Sequence, residues 1–201
     1  MNSRGRLFIM SGPAGTGKGT LRKILFEEIP DFVYSISCTT RKIRPDETEG
    51  VDYHFVSKDE FGRMVAEDEF LEWAEVHGSY YGTRRRDVEA FLDEGKDVLL
   101  EIDVQGALQV KSREPDVVTI FISPPSLDEL ENRLEDRGTE SPEQLAVRLR
   151  NAVMEMRHAR EYDYIVVNDK IGRAADELSG IIEKYRSRRK AAGVGSGRGN
   201  E

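Results

Sequence analysis

A glycine-rich segment near the N-terminus constrains this chain more than any other part of it. It follows an apolar run at residues 7–10 and precedes a helix-like pattern at residues 21–26. The order strand, glycine-rich turn, lysine and helix is typical of a phosphate-binding P-loop. The glycines let several backbone N–H groups point at one anion, and the helix adds the positive end of its dipole. The sequence therefore predicts a nucleotide phosphate site built by Gly12, Pro13, Ala14, Gly15, Thr16, Gly17, Lys18, Gly19 and Thr20.

The residue after the lysine departs from the usual P-loop pattern. Lys18 supplies a mobile ammonium group for the outer phosphates. A serine or threonine usually follows that lysine and binds Mg²⁺, but here the position is Gly19, and the hydroxyl comes one residue later, on Thr20. Two interpretations stay open. Either Thr20 takes over as magnesium ligand, or the nucleotide and water hold the ion alone.

Short apolar runs alternate with helix-like segments along the chain. The runs at residues 7–10, 98–102, 117–122 and 164–167 are typical of strands that are covered on both faces, as in a parallel sheet. Alternation of this kind indicates βαβ units. We therefore predict an α/β fold whose P-loop core has three layers, with helices on both sides of a parallel sheet.

Two stretches interrupt this alternation. Residues 35–84 are rich in charge and tyrosine and mix polar with apolar positions, which predicts an inserted antiparallel lobe. Ser57, with Glu60 three residues later, predicts the start of a helix inside that lobe. Residues 124–150 hold two helix starts, at Ser126 and at Ser141, on either side of a polar joint, which predicts a helical lid. The remaining segments are the core, at residues 1–34, 85–123 and 151–187, and an expected disordered tail at residues 188–201.

Composition excludes several classes of protein. The net charge of −8 argues against nucleic-acid binding. No apolar run approaches the roughly 18 residues of a membrane span, and the first residues lack the apolar stretch of a signal peptide. The single cysteine, Cys38, suits a cytoplasmic location. The three histidines lack ligand spacing, so we expect no zinc site, and nothing indicates an obligate protein partner.

A second basic segment follows at residues 39–45. Arg41 and Arg44 stand three residues apart, and the tyrosines Tyr53 and Tyr81 come later in the same predicted lobe. Arginine forks match the geometry of phosphate oxygens, and tyrosine hydroxyls add neutral hydrogen bonds. A solvated basic loop is the alternative for the arginine pair alone. The tyrosines favour a second phosphate site.

These motifs together resemble the guanylate kinase family. The resemblance rests on the segments 37–41, 44–45, 47, 50–55, 70–74, 80–82, 101–106, 133–134, 137–140 and 167–169, in the family's order. The family transfers the γ-phosphoryl group of ATP to GMP or dGMP with Mg²⁺, giving ADP and GDP or dGDP, in purine nucleotide metabolism. Its fold is a P-loop NTPase core with a GMP-binding lobe and a lid. The resemblance therefore implies that residues 35–84 bind GMP.

The resemblance also implies roles for individual residues of the lobe. The GMP site would consist of Ser37, Arg41, Arg44, Glu47, Tyr53, Glu72, Tyr81 and Thr83, together with Asp103 from the core. Arg41, Arg44 and the two tyrosines would hold the phosphate. Guanine presents two donors, N1–H and the exocyclic amine, so the single carboxylate of Glu72 can accept from both, while Ser37 and Thr83 can donate to O6. A surface carboxylate on a strand is the alternative reading of Glu72.

Asp103 and Asn168 each follow a predicted core strand. Ligands of open parallel sheets sit beyond the carboxyl ends of the strands. Asp103 can hold a magnesium-bound water or a hydrogen bond from guanine, and it can also cap the next helix. Asn168 resembles the family residue that lies near adenine, so it is assigned to the ATP site.

Phosphoryl transfer depends on positioning and on neutralising charge. The candidates for neutralising charge on the transferring group are Lys18, Arg133, Arg137 and Arg148. A solvated helix face with acidic partners, such as Glu129 for Arg133, is the alternative for each lid arginine. The match of Arg137 and Arg148 to the family's lid favours catalysis.

Three functions compete for this chain. The first is an active guanylate kinase. The second is a guanylate-kinase-like module that binds protein ligands and has lost catalysis; such modules are expected to lack the P-loop lysine and the lid arginines, which are present here. The third is adenylate kinase, suggested by the Gly-Lys-Gly-Thr form of the loop. Glu72 and the tyrosines argue against it.

Overall fold

The computed structural model describes residues 4–45, 47–76, 78–136 and 142–195. Within these residues, the strands are β1 (Leu7–Ser11), β2 (Phe32–Tyr34), β3 (Cys38–Thr39), β4 (His54–Phe55), β5 (Phe70–Val76), β6 (Ser79–Arg84), β7 (Asp97–Glu101), β8 (Val118–Ser123) and β9 (Tyr164–Val167). The helices are α1 (Lys18–Glu28), α2 (Lys58–Ala66), α3 (Arg85–Asp93), α4 (Val104–Arg113), α5 (Leu127–Glu135), α6 (Pro142–Arg157) and α7 (Ile171–Gly195). A short 3₁₀ helix spans His158–Glu161.

The larger sheet has five strands in the order β2-β7-β1-β8-β9, and all its pairs are parallel. The predicted α/β fold with a parallel sheet is therefore confirmed. The four apolar runs of the sequence form β1, β7, β8 and β9, each within one residue of its expected bounds. Strand β2 was not anticipated, since it has only three residues and two of them are partly exposed at the edge of the sheet.

Apolar side chains pack on both faces of this sheet, as the continuous apolar strands indicated. On one face, Phe8 and Leu99 pack with residues of α1 and α7, including Leu25 and Leu178. On the other face, the core contains residues of α3 and α4. The sheet therefore lies between two helical layers.

The smaller sheet has four strands in the order β4-β3-β6-β5 and belongs to the segment 35–84. Strand β6 is antiparallel to β3 and to β5, but β3 and β4 are parallel. The prediction of a wholly antiparallel lobe is wrong at this pair. The connection from Thr40 to Tyr53 is long enough to return to the start of β3, so β4 runs in the same direction. Helix α2, capped by Ser57 as predicted, covers this sheet through Phe61.

The segment predicted as a lid contains α5 and the first half of α6. Ser126 caps α5 by accepting from the Glu129 N–H at 3.1 Å, whereas Ser141 lies outside the described residues. Leu130 and Leu134 of α5 pack against Ala152 of α6. Because α6 continues without a break to Arg157, the boundary expected at residue 150 falls inside a helix.

Helix α7 runs beyond the point where the sequence predicted a disordered tail. Arg186 and Arg189 of α7 contact the buried carboxylate of Asp97, at 2.8 Å and 2.5 Å. The expected disorder is wrong for residues 188 and 189, because this pairing holds that part of α7 against the sheet. The helix continues to Gly195, and residues 196–201 lie outside the described part. None of the helices in the described ranges combines the length and the apolar character that a membrane span requires.

Candidate active site

The glycine-rich segment forms a tight loop between β1 and α1. Gly12, Gly15 and Gly17 adopt φ angles of 145°, 88° and 86°, which side chains rarely tolerate. A Cβ atom at Gly12 would lie 2.2 Å from the carbonyl oxygen of Ile122. Gly17 caps α1, which begins at Lys18. The loop therefore presents backbone N–H groups at a helix N-terminus, as an anion site requires.

The Lys18 ammonium group lies over this loop. Its Nζ donates to the carbonyl oxygens of Gly12 at 2.6 Å and of Pro13 at 3.0 Å. Thr20, the proposed substitute magnesium ligand, is exposed on the first turn of α1. A Cβ atom at Gly19 would meet no atom within 4 Å, so space does not explain the absence of the usual hydroxyl there.

Two polar side chains brace the loop. The Thr16 hydroxyl donates to the Pro13 carbonyl oxygen at 2.9 Å. The buried Asn168 side chain donates from Nδ2 to the Thr16 carbonyl oxygen at 2.8 Å. A Cβ atom at Gly17 would lie 2.6 Å from that same Nδ2. Asn168, which follows β9, therefore supports the shape of the P-loop, and its role near adenine stays a prediction.

One cleft of about 350 Å³ joins the P-loop to the smaller sheet. The predicted site residues that line it are Gly12, Ala14, Lys18, Ser37, Arg41, Arg44, Glu47, Tyr53, Glu72, Tyr81, Asp103 and Arg148. Residues predicted as parts of two separate phosphate sites thus share one cavity.

Arg41 is already paired in this cleft. Its guanidinium donates to the two carboxylate oxygens of Glu47 at 3.0 Å and 2.6 Å, and its Nε donates to the Tyr81 hydroxyl at 3.1 Å. The Tyr53 ring lies 5.3 Å from the guanidinium carbon. These hydrogen bonds hold the pKa of Glu47 below its ordinary value and raise that of Arg41. Glu47 thus orients Arg41, and it also accepts from the backbone N–H of Arg44 at 2.9 Å.

Glu72 is a buried carboxylate at the other end of the cleft. Only 3% of the residue is exposed, and burial, reinforced by the nearby charge of Asp103, raises its pKa to about 7. The fully buried Thr83 hydroxyl donates to Glu72 Oε1 at 2.6 Å. Because a hydroxyl has one proton, Thr83 orients the carboxylate here and does not offer that proton to the cleft. Ser37, the other hydroxyl assigned to guanine O6, does line the cleft.

Asp103 caps a helix and lines the cleft at the same time. Its Oδ1 accepts from the Gly106 N–H at 2.8 Å, so it caps α4. The residue also lines the cleft, and burial raises the pKa of its carboxyl group against the opposing charge of Lys18. Capping a helix therefore does not remove this carboxylate from the site.

Comparison with known proteins identifies this arrangement. The family model described as guanylate kinase matches residues 4–185. The chain belongs to the guanylate kinase family. It is 54% identical over 183 residues to a guanylate kinase from Lactococcus lactis, covering 91% of this chain and 89% of that protein. It is 51% identical over 189 residues to one from Oceanobacillus iheyensis, covering 94% and 92%.

A solved structure agrees with this assignment. The crystal structure of guanylate kinase from Anaplasma phagocytophilum matches with a TM-score of 0.75 and 37% identity, over 92% of this chain and 87% of that one. The resemblance read from the sequence is confirmed, and so is the P-loop NTPase fold. The adenylate kinase alternative is wrong.

Some residues assigned from the guanylate kinase resemblance do not line the cleft. Arg133 donates from Nε to Glu129 Oε1 at 2.8 Å, the helix-face pairing that the sequence offered as its alternative. Thr83 and Asn168 lie behind the cavity wall, on Glu72 and on the P-loop. Arg137 lies outside the described residues. A catalytic role for Arg133 and Arg137 stays a prediction.

Two acidic residues of the cleft were missed. Glu101 ends β7 beside Met10 of β1, and its buried Oε2 has no hydrogen-bond partner, although Arg22 lies 3.5 Å away. Glu155 lies on α6, seven residues after Arg148 and so on the same face of the helix. Both residues could have been predicted from their positions in the sequence. Glu101 stands at the carboxyl end of a predicted parallel strand, and Glu155 follows Arg148 at the helical repeat of seven residues.

Proposed function

We propose that this chain is an ATP:GMP phosphotransferase, which transfers the γ-phosphoryl group of ATP to GMP or dGMP and gives ADP with GDP or dGDP. One observation carries the proposal. A buried carboxylate suited to guanine, Glu72, and a P-loop lysine, Lys18, line the same cleft. Membership of the guanylate kinase family supports it.

Guanine is read by the Glu72 carboxylate at the buried end of the cleft. In its ionised form it accepts from N1–H and from the exocyclic amine, while the Thr83 hydroxyl fixes the orientation of Oε1. Ser37 donates to O6. Adenine has a ring N1 lone pair where guanine has a proton, so AMP would leave the buried carboxylate unpaired, which carries a high free-energy cost.

The GMP phosphate occupies the end of the cleft lined by Arg41, Arg44, Tyr53 and Tyr81. Glu47 acts through Arg41, since a carboxylate would repel the phosphate and here holds the guanidinium in two parallel hydrogen bonds. Fixing Arg41 in advance reduces the conformational entropy lost when the phosphate binds.

In the transfer step, a phosphate oxygen of GMP attacks the γ-phosphorus of ATP, and the bond to the β–γ bridging oxygen breaks. The P-loop N–H groups and Lys18 stabilise the charge on the ATP side. Arg148 lines the cleft from α6 and supplies positive charge across it. Arg133 and Arg137 are proposed to join when the lid closes, which requires Arg133 to leave Glu129.

The family reaction uses Mg²⁺ with ATP, and the side chains at this cleft fit such an ion. Glu101 Oε2 is a buried acceptor without a hydrogen-bond partner, although Arg22 forms an ion pair with it at 3.5 Å, and Asp103 lines the same wall. We propose that Glu101 and the Thr20 hydroxyl would hold the ion directly and that Asp103 would hold it through a water molecule. The described residues contain no group of three or more His, Cys, Asp or Glu side chains that could hold a metal ion. The ion neutralises charge on the phosphates when bound.

A coupled assay of ADP release tests the proposal. Wild-type protein is mixed with ATP and Mg²⁺ and offered GMP, dGMP, AMP, CMP or UMP in turn. We expect rapid ADP release with GMP, turnover with dGMP, and release near background with the other three. Equal rates with AMP would refute guanine selection. The absence of ADP release with every acceptor would favour a non-catalytic binding module.

A further inference from the structure

Strand β5 carries a bulge next to Glu72. Phe70 lies opposite Arg84 of β6, but Glu72 lies opposite Thr83, so Leu71 is an extra residue in β5. A bulge takes the extra residue out of the ladder and re-aims the side chains around it. Here Phe70 packs in the core of the lobe, whereas Leu71 packs in the core beneath the larger sheet. The bulge leaves Glu72 facing Thr83 and the cleft.

Helix α4 clamps the backbone on both sides of Glu72. Arg113 donates from Nη1 to the carbonyl oxygen of Leu71 at 2.9 Å and to that of Phe70 at 3.3 Å. Gln109 donates from Nε2 to the Trp73 carbonyl oxygen at 2.8 Å and accepts from the Trp73 N–H at 3.3 Å. The Gln109 amide thus pairs with the edge of β5 as a neighbouring strand would.

The same face of α4 touches the Glu72 carboxylate. Gly106, Gln109 and Arg113 follow at intervals of three and four residues, so they share one side of the helix. A Cβ atom at Gly106 would lie 2.3 Å from Glu72 Oε2. One helix of the core therefore fixes the backbone before Glu72, the backbone after it, and the space that its carboxylate occupies.

We propose that Gln109 and Arg113 are positioning residues for guanine recognition, which hold the bulged strand so that the Glu72 carboxylate meets both donors of the base. The inference rests on the proposed function. Neither residue lines the cleft, so each acts through β5 and not on the substrate. A carboxylate that accepts two parallel hydrogen bonds depends on alignment more than one that accepts a single bond.

The test compares GMP with IMP, which keeps N1–H but lacks the exocyclic amine. The variants are Gln109→Met, Arg113→Met and the double variant. Gln109→Met keeps the side-chain length, Arg113→Met keeps most of the aliphatic stem, and both remove the polar groups that contact β5. Lys111→Met is the matched control on α4, because Lys111 contacts Glu161 and Asp163 and not β5. Arg113→Lys keeps a cationic hydrogen-bond donor and serves as the rescue. Steady-state kinetics with each acceptor and with ATP, and thermal unfolding, are measured for all of them.

In the double variant we expect kcat/KM to fall about tenfold with GMP and about threefold with IMP. The fall is larger with GMP because only GMP loses the second hydrogen bond to Glu72. KM for ATP should stay near wild type in every variant. In Lys111→Met, kcat/KM for GMP and for IMP should also stay near wild type. Arg113→Lys should keep the wild-type ratio of kcat/KM for GMP to kcat/KM for IMP. If the double variant does not fold, the ratio of kcat/KM for GMP to kcat/KM for IMP in the single variants tests the inference instead. An unchanged ratio in folded variants overturns the inference, whereas a wild type inactive with GMP overturns the proposed function itself.

Discussion

Thr83 donates its hydroxyl proton to Glu72 across 2.6 Å, in a pair where each residue is almost completely buried. This bond orients the carboxylate that we assign to guanine, while burial raises the pKa of that carboxyl group to about 7. The site therefore holds a group that is costly to ionise and must be ionised to read the base.

Replacing Glu72 by glutamine should separate activity from stability. An amide presents a donor to one of the guanine donors, so kcat/KM for GMP should fall by about 10² or more, with KM for ATP nearly unchanged. Above pH 7 the variant should also be more stable than wild type, by on the order of 2–3 kcal/mol, since it buries no charge. Urea unfolding at pH 8 and steady-state kinetics check both halves. A variant less stable than wild type at pH 8 would contradict the cost of ionising Glu72.

The raised pKa of Glu72 sets the direction of two pH dependences. Its ordinary value is 4.5 and its folded value about 7, so the stability that comes from burying the neutral acid is complete below pH 4.5 and is lost as pH rises through about 7. Binding of GMP needs the ionised form, so kcat/KM for GMP should rise through the same range and level off above it. Initial rates at low GMP between pH 5.5 and 9 check this, and a profile that falls across that range would rule it out.

Glu47→Gln should weaken GMP binding without touching the substrate directly. The change keeps the size of the side chain and removes the charge that holds Arg41 in two hydrogen bonds. We expect KM for GMP to rise about tenfold, because Arg41 loses its fixed orientation. KM for ATP should change less than about twofold. Glu60→Gln on the exposed face of α2 is the control. A lower KM for GMP would instead mean that Glu47 competes with the phosphate.

Asn168→Ala should loosen the P-loop. The substitution removes the hydrogen bond to the Thr16 carbonyl oxygen and leaves that buried group without the Asn168 donor. Such a loss costs about 1–3 kcal/mol of stability, and we expect KM for ATP to rise while KM for GMP stays close to wild type. Calorimetry and kinetics in both substrates measure this. If only the GMP parameters change, Asn168 does not act on the P-loop.

The features that the sequence predicted well are those in which local pattern and physical role coincide. Continuous apolar runs marked the buried strands β1, β7, β8 and β9. The glycine pattern marked the P-loop, in which three glycines adopt positive φ angles. Serine followed by an acidic residue three positions later marked the starts of α2 and α5.

The features that it missed depend on partners far away in the chain. The direction of β4 depends on the path of the loop between β3 and β4. Residues 188 and 189 are helical and not disordered because α7 contacts Asp97. Thr83 donates to Glu72, and Arg133 donates to Glu129, so neither donor faces the cleft. Residue type alone does not predict these pairings. The Leu71 bulge likewise appears only when β5 and β6 are paired.

Direct transfer of labelled phosphate tests whether this chain moves the γ-phosphoryl group of ATP to GMP in preference to AMP. ATP labelled in the γ-phosphoryl group is incubated with the protein, Mg²⁺ and equal concentrations of GMP and AMP, and the labelled nucleotides are separated and counted. We expect the label to appear in GDP, with almost none in ADP, and we expect Lys18→Ala to abolish the transfer while the protein stays folded. Label that appears mainly in ADP, or that reaches GDP equally well in the Lys18→Ala variant, would contradict this expectation.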